Sequence, residues 1–244
     1  MLVEHKFYFI SLPRCASTSF MITCIKNNIQ INHFQNFLDN QTKNFKNWKK
    51  WNNEKLADRL SHGHESIVHL ENKFGNNYPI ISIKRDKYER FISLWKHIID
   101  ETYRIKQKKI GDMFSEFTID DLLPQFMNYE NVLSDEISKF IHTKFLNKFK
   151  IPAEQHYIGN MMGILYSPIS KWTNNDERII WFDIKKLNEL EDWVSNILNK
   201  PFKMEKINSS KGFNCGLVND NYFKEKYDKI YNMHDFFKKS KTLI

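Results

Sequence analysis

Three stretches of the chain repeat one pattern: a short apolar run, a polar break, then apolar positions at helical spacing. Lys6–Leu12 (KFYFISL) is aromatic and β-branched, is closed by Pro13, and predicts a buried strand. Thr18–Asn27 (TSFMITCIKN) follows, with Phe20, Met21, Cys24 and Ile25 at i, i+1, i+4 and i+5, which is one helical face. Ser17 or Thr18 is the natural N-cap of that helix. Pro79–Lys84 (PIISIK) predicts a second buried strand. Asp86 is placed to cap a helix over Tyr88–Ile99, with Phe91, Ile92, Trp95, Ile98 and Ile99 inward. The third unit is a strand at Arg178–Ile184 (RIIWFDI) and a helix at Leu187–Leu198. Strands that alternate with helices predict an α/β fold, with a parallel sheet flanked by helices on both faces. The middle of the chain, from Ile119 to Asn147, and a C-terminal segment, Asn219–Lys238, read as helical. In the latter Tyr222, Phe223, Tyr227, Ile230 and Tyr231 would point inward. No repeat, Gly/Ser linker or Pro-rich hinge divides the 244 residues, so the expectation is a single domain over 1–244.

Composition narrows the chemistry. The sequence is 41% hydrophobic and 27% charged, enough to bury a core. Its 7 glycines are so placed that none completes G-x-G-x-x-G or G-x-x-x-x-G-K-[ST], which excludes the dinucleotide fingerprint and the nucleotide-triphosphate loop. No run reaches the roughly 18 apolar residues of a membrane span. The first strand begins so close to Met1 that no signal peptide is expected, and the expectation is a cytoplasmic or otherwise soluble protein. Three cysteines (Cys15, Cys24, Cys215) without a C-x-x-C pair argue against a disulfide framework or zinc ribbon, and for a reducing compartment. The 37 basic residues against 29 acidic give +8, which favours anionic partners without choosing among them.

Position chooses better than charge. In parallel sheets ligands bind at the carboxyl ends of strands, where helix N-termini present positive dipoles. The first unit puts Arg14, Ser17, Thr18 and Ser19 there, and the second puts Lys84 and Arg85 there. Together they make an anion site. The loop Leu12–Phe20 (LPRCASTSF) offers successive backbone N–H groups, three hydroxyls and a guanidinium, which suit a phosphate or phosphosulfate. An ordinary capped strand-to-helix turn with a surface arginine has the same composition.

The segment P-R-C-A-S-T-S-F resembles the 5′-phosphosulfate loop of sulfotransferases, commonly P-K-x-x-S-T-S, and is closest to that of carbohydrate uronyl 2-O-sulfotransferases. It departs from the family at Arg14, which stands where lysine is usual and brings a planar fork in place of a point charge. The segment I-S-I-K-R-D-K-Y-E-R-F-I-S-L-W resembles the family's 3′-phosphate motif, R-[DN]-P-Y-E-R-F-x-S-x-Y, with Lys87 in place of proline. N-S-S-K-G-F-N-C (Asn208–Cys215) resembles the K-G-F-x-C loop of heparan-type members. The resemblance implies a P-loop-like sulfotransferase fold. It also implies 3′-phosphoadenosine 5′-phosphosulfate (PAPS) as donor, 3′-phosphoadenosine 5′-phosphate (PAP) as product, and no metal. Arg14, Cys15, Ala16, Ser17, Thr18 and Ser19 would bind the 5′-phosphosulfate, with Arg14 stabilising the leaving group. Arg85 and Ser93 would hold the 3′-phosphate, Lys211 and Gly212 would approach the donor phosphates, and Arg90 would make structural ion pairs.

Transfer to a hydroxyl also needs a base for the acceptor proton. His62, His64 and His69 lie between the two donor motifs, in a segment that the resemblance places as a His-led helix running to the second strand. His64 is the expected base and His62 the alternative; a surface or helix-capping histidine is the plainer reading. H-E-x-x-x-H at His64 and His69 misses the H-E-x-x-H zinc spacing by one residue, and i, i+5 rings leave a common face. Phe45–Lys55 (FKNWKKWNNEK) interleaves Trp48 and Trp51 with lysines. It suits a sugar chain or stacked bases, or two core tryptophans among solvated lysines. Ile151–Ile158 resembles a family P-Q-x-x-Y segment broken by Ala153-Glu154, which leaves His156 a weaker acceptor-site candidate. The expected partner is therefore a hydroxyl-bearing acceptor, an oligo- or polysaccharide, with no nucleic acid and no membrane span. A non-catalytic basic module binding nucleic acid or other polyanions is the alternative. It explains the charge but not the order of two phosphate motifs. A nucleotide kinase is disfavoured by the missing loop glycines and lysine.

Overall fold

A computed structural model describes residues 1–32, 64–104 and 169–205, together with 221, 224, 225, 227 and 228. The chain forms two compact units, Met1–Arg85 with Ile169–Ser209, and Asp86–Pro168 with Ser210–Ile244.

The first unit is built on a four-stranded, mostly parallel open sheet in the order β1-β2-β3-β4. Its strands are β1 (Leu2–Val3), β2 (Phe7–Ile10), β3 (Ile80–Lys84) and β4 (Ile179–Asp183). β2, β3 and β4 are parallel, with Ile10 opposite Ser82 and Lys84 opposite Asp183. Each predicted strand is present but shorter than its apolar run. β1 was not predicted. It pairs antiparallel with β2 through a three-residue connection, Glu4–Lys6, which holds a β-turn centred on Glu4 and His5, where Lys6 N–H donates to the Val3 carbonyl at 2.8 Å. Both turn residues have φ near +50° (47° and 52°), the hairpin geometry that usually selects Asn-Gly. No such pair stands in the sequence to announce it. The Met1 amine donates to the Phe9 carbonyl at 2.9 Å, and burial pushes that amine down to about 5.

Among the described residues, the helices of this unit are α1 (Ser17–Lys26), α2 (Ile67–Phe74), a short α4 (Ser170–Thr173) and α5 (Leu187–Leu198); α3 (Lys87–Arg104) belongs to the second unit. All four residues of β2 are buried, because both faces are covered. On one face Phe9 stacks on Phe20 of α1, with centroids 3.9 Å apart, and Phe7 meets Trp193 of α5 edge-on at 5.1 Å. On the other face the Tyr8 hydroxyl donates to the Gly75 carbonyl at the end of α2, at 2.5 Å, and burial pushes this phenol up to about 12. The expected single apolar face of α1 is too narrow. Phe20, Met21, Cys24 and Ile25 are buried, and so are Ile22 and Thr23, since the helix is enclosed on several sides. α5 has the predicted bounds, and a 3-10 turn at Ile184–Lys186 links it to β4.

In the second unit α3 spans Lys87–Arg104, longer than the predicted Tyr88–Ile99. Asp86 caps it as expected, its Oδ1 accepting from the Tyr88 and Glu89 N–H groups, both at 3.0 Å. Phe91 and Ile92 are buried, and Phe91 packs edge-on against Tyr227, with centroids 5.0 Å apart. Residues 221, 224, 225, 227 and 228 are helical, within the expected C-terminal helix. The predicted helical middle, 119–147, lies outside the described residues.

Candidate functional site

Because β2, β3 and β4 are parallel, their carboxyl ends open at one edge of the sheet. Three turns follow them: Ser11–Ala16, Lys84–Arg85 and Asp183–Lys186. Lys84, Lys185 and Lys186 are exposed along that edge, while half-buried Asp183 caps the last of these turns, its Oδ1 accepting from the Lys185 N–H at 2.8 Å.

The first turn is the most constrained. Arg14 and Ala16 both take left-handed conformations, φ 63° and 57°. Alternation of this kind lets successive N–H groups converge on an anion. Cys15 is buried between them, its N–H donating to the Leu12 carbonyl at 3.2 Å and its thiol to the Pro13 carbonyl at 3.7 Å. Ala16 is the N-cap of α1, and its side chain offers no cap hydrogen bond. This corrects the expectation that Ser17 or Thr18 would be the N-cap. The left-handed Ala16 brings Ser17 already into the first helical turn. Its hydroxyl therefore faces back and donates to the Leu12 carbonyl at 3.3 Å instead of accepting an N–H. The first turn itself holds no acidic residue to offset the positive end of the helix dipole. Ser17 and Ser19 are buried and Thr18 is half-buried.

Arg85 comes to this turn from the end of β3. Its Nη1 donates to the Arg14 carbonyl at 3.4 Å across 71 residues of sequence. β2 and β3 are held in register nearby by the Ser82 hydroxyl, which donates to the Ile10 carbonyl at 2.8 Å. The two arginines singled out by sequence therefore belong to one loop cluster.

His64 reaches the same cluster from the turn before α2. Its Nδ1 lies 2.7 Å from the Ser11 carbonyl and 3.2 Å from the Ser11 hydroxyl. Ser66 caps α2 by accepting from the His69 N–H at 3.3 Å, which fixes where the helix begins and so where His64 stands. His69 is exposed, and its Nε2 lies 3.4 Å from a Glu65 carboxylate oxygen. Ser11 was not singled out from the sequence. A serine at a strand end carries no pattern, and its partner lies 53 residues away.

Ser93 is buried on α3 in the second unit, as is Arg90, which is 1% exposed. Lys87 and Tyr88 of that helix both bond the Asp228 carboxylate, Tyr88 at 2.5 Å. His62, Trp48, Trp51, His156, Lys211, Gly212 and Cys215 lie outside the described residues. Among the described residues, no helix is long and apolar enough to cross a membrane.

The chain matches no protein-family model, no curated protein and no solved structure. Function rests on the chemistry of this cluster. A helix start whose N-cap residue offers no side-chain acceptor, a turn with two left-handed residues and two guanidinium-bearing residues suit a multiply charged phosphate ester. A neighbouring imidazole suits proton transfer.

Proposed function

We propose that the chain is a PAPS-dependent sulfotransferase of the P-loop-like fold, transferring a sulfuryl group to a hydroxyl of a glycan acceptor. The observation that carries this reading is the approach of Arg85 to Arg14 at the start of α1. These residues head the two segments that resemble the family's 5′- and 3′-phosphate motifs. The donor, when bound, supplies an activated sulfuryl group on a phosphate leaving group. Arg14 and the N–H groups of Ser17–Ser19 would hold the phosphosulfate end and offset charge on the departing phosphate. Arg85 would anchor the 3′-phosphate, with Ser93, Lys211 and Gly212 assigned by resemblance alone. His64 would take the acceptor proton, a role worth about 10²–10⁴-fold in rate.

The test is ligand-dependent stability. PAP should raise the melting temperature of the chain well beyond AMP at equal concentration; a ligand at 100 times its Kd stabilises by about 2.7 kcal/mol. Arg85→Ala should erase the difference between PAP and AMP, because only PAP carries a 3′-phosphate. A difference that survives this substitution refutes the assignment of Arg85. Equal response to PAP, AMP and unrelated polyanions refutes the sulfotransferase reading in favour of a polyanion-binding module.

A further inference from the structure

We infer that Ser11 is a positioning residue: it holds His64 in the tautomer protonated at Nδ1, so that Nε2 is the basic nitrogen. The inference rests on the proposed function for its catalytic part and on geometry alone for the tautomer. A backbone carbonyl only accepts hydrogen bonds. The Ser11 carbonyl lies 2.7 Å from His64 Nδ1, so that nitrogen carries the proton. The Ser11 hydroxyl, at 3.2 Å, accepts a second share of the same proton. In the neutral ring the lone pair is then on Nε2, at the far side of the imidazole.

The anchor is well supported. Ser11 is 1% exposed and follows the last residue of β2, a strand paired on both sides. One residue later the Leu12 carbonyl receives the Ser17 hydroxyl and the Cys15 N–H. The base and the anion-binding turn thus hang from adjacent peptide units of a single strand end. Proton transfer balances simply: the acceptor O–H bond breaks, its proton joins Nε2, and the oxygen electron pair forms the new bond to sulfur as the phosphate leaves. The imidazolium keeps its Nδ1–H bond to Ser11 throughout, so the ring need not reorient as its charge changes.

The experiment is ¹⁵N NMR of the uniformly labelled chain, with the His64 signals assigned by their loss in His64→Gln. It is paired with kinetics of Ser11→Ala and Ser11→Thr using PAPS and a mixed panel of glycan acceptors. The expected spectrum shows a protonated Nδ1 and an unprotonated, imine-type Nε2. Ser11→Ala is expected to lower kcat about two- to tenfold and shift the acid limb of the pH profile, with the donor KM unchanged; Ser11→Thr restores both. A proton on Nε2 overturns the inference whatever the activity. An Nδ1–H tautomer with a pH profile unmoved by Ser11→Ala overturns the hydroxyl's share in positioning. An Nδ1–H tautomer in a chain with no donor-dependent turnover overturns the base role, and it also fails the sulfotransferase reading, which the PAP measurement tests separately.

Discussion

Gly75 ends α2 at φ 90° and ψ 174°, a region of backbone space that only glycine enters without strain. A Cβ added there would meet nothing within 4 Å, so replacement by alanine costs backbone strain and no clash. Gly75→Ala should therefore destabilise the chain by about 1–3 kcal/mol, read as a lower urea midpoint. Any gain in melting temperature from PAP, which the proposed function expects, should persist, since the turn before α1 is untouched. A neutral result would mean that the turn relaxes into another conformation. Other left-handed positions, Glu4, His5, Arg14 and Ala16, are occupied by residues with side chains. Each pays a steric penalty that glycine would avoid, of about 1–2 kcal/mol. Here the sequence was hardest to read. Glu-His gives no hint of a hairpin, so β1 went unseen, and nothing in R-C-A marks two reversals of handedness. Natural sequences accept such strain at functional sites more readily than elsewhere, and the pair in the turn before α1 is therefore more informative than the pair in the hairpin.

At the scale of elements, periodicity was a good guide wherever one face is solvated. α5 starts and stops where its apolar spacing does. α3 starts one residue before its predicted beginning, behind the Asp86 cap. Asp86→Ala should cost about 1 kcal/mol of stability, because two N–H groups of the first turn lose their acceptor; Asp86→Asn should recover most of it. Equal melting of wild type and Asp86→Ala would show that the cap contributes nothing. α1 was legible as a helix but not in its environment, since a helix buried on several sides has no polar stripe to orient it. Its unusual start permits a test with opposite signs. Thr18→Glu puts a carboxylate in a first turn that has no acidic residue, which should stabilise the helix by about 0.3–1 kcal/mol. The same charge should repel a phosphate at that helix end and abolish the PAP-dependent rise in melting temperature. An ordinary strand-to-helix turn predicts the first effect without the second. Retention of the PAP response in Thr18→Glu would therefore remove α1 from the donor site.

At the scale of the whole chain, the candidate site is a product of topology. The Arg14 turn and Arg85 are joined by parallel pairing of β2 with β3, and His64 is brought in by the helix between them. The residue types were legible as two motif-like segments, but their juxtaposition depends on strand register, which no local pattern encodes. The Ser11–His64 contact depends on it most. Long-range ties of another kind hold the opposite, entering end of β4. The Arg178 guanidinium bonds Asp176 in the preceding turn and Glu71 of α2, the latter at 2.7 Å, so that helix and strand are clasped by one side chain. The hydrogen bonds from Arg178 hold the Asp176 carboxyl below the usual carboxylate range of 3.8. A carboxyl with a depressed folded-state value stabilises the fold above its unfolded value and loses that contribution as pH falls through the folded one, because the unfolded chain takes up the proton first. Asp176→Asn keeps an oxygen for the Arg178 N–H and deletes the charge. Its urea midpoint should lie below that of the wild type at pH 7, and the gap should close as pH drops below 4. A gap that stays constant to pH 2 would mean that the carboxylate acts by shape alone, and the clasp would then be a packing contact without an ionic component.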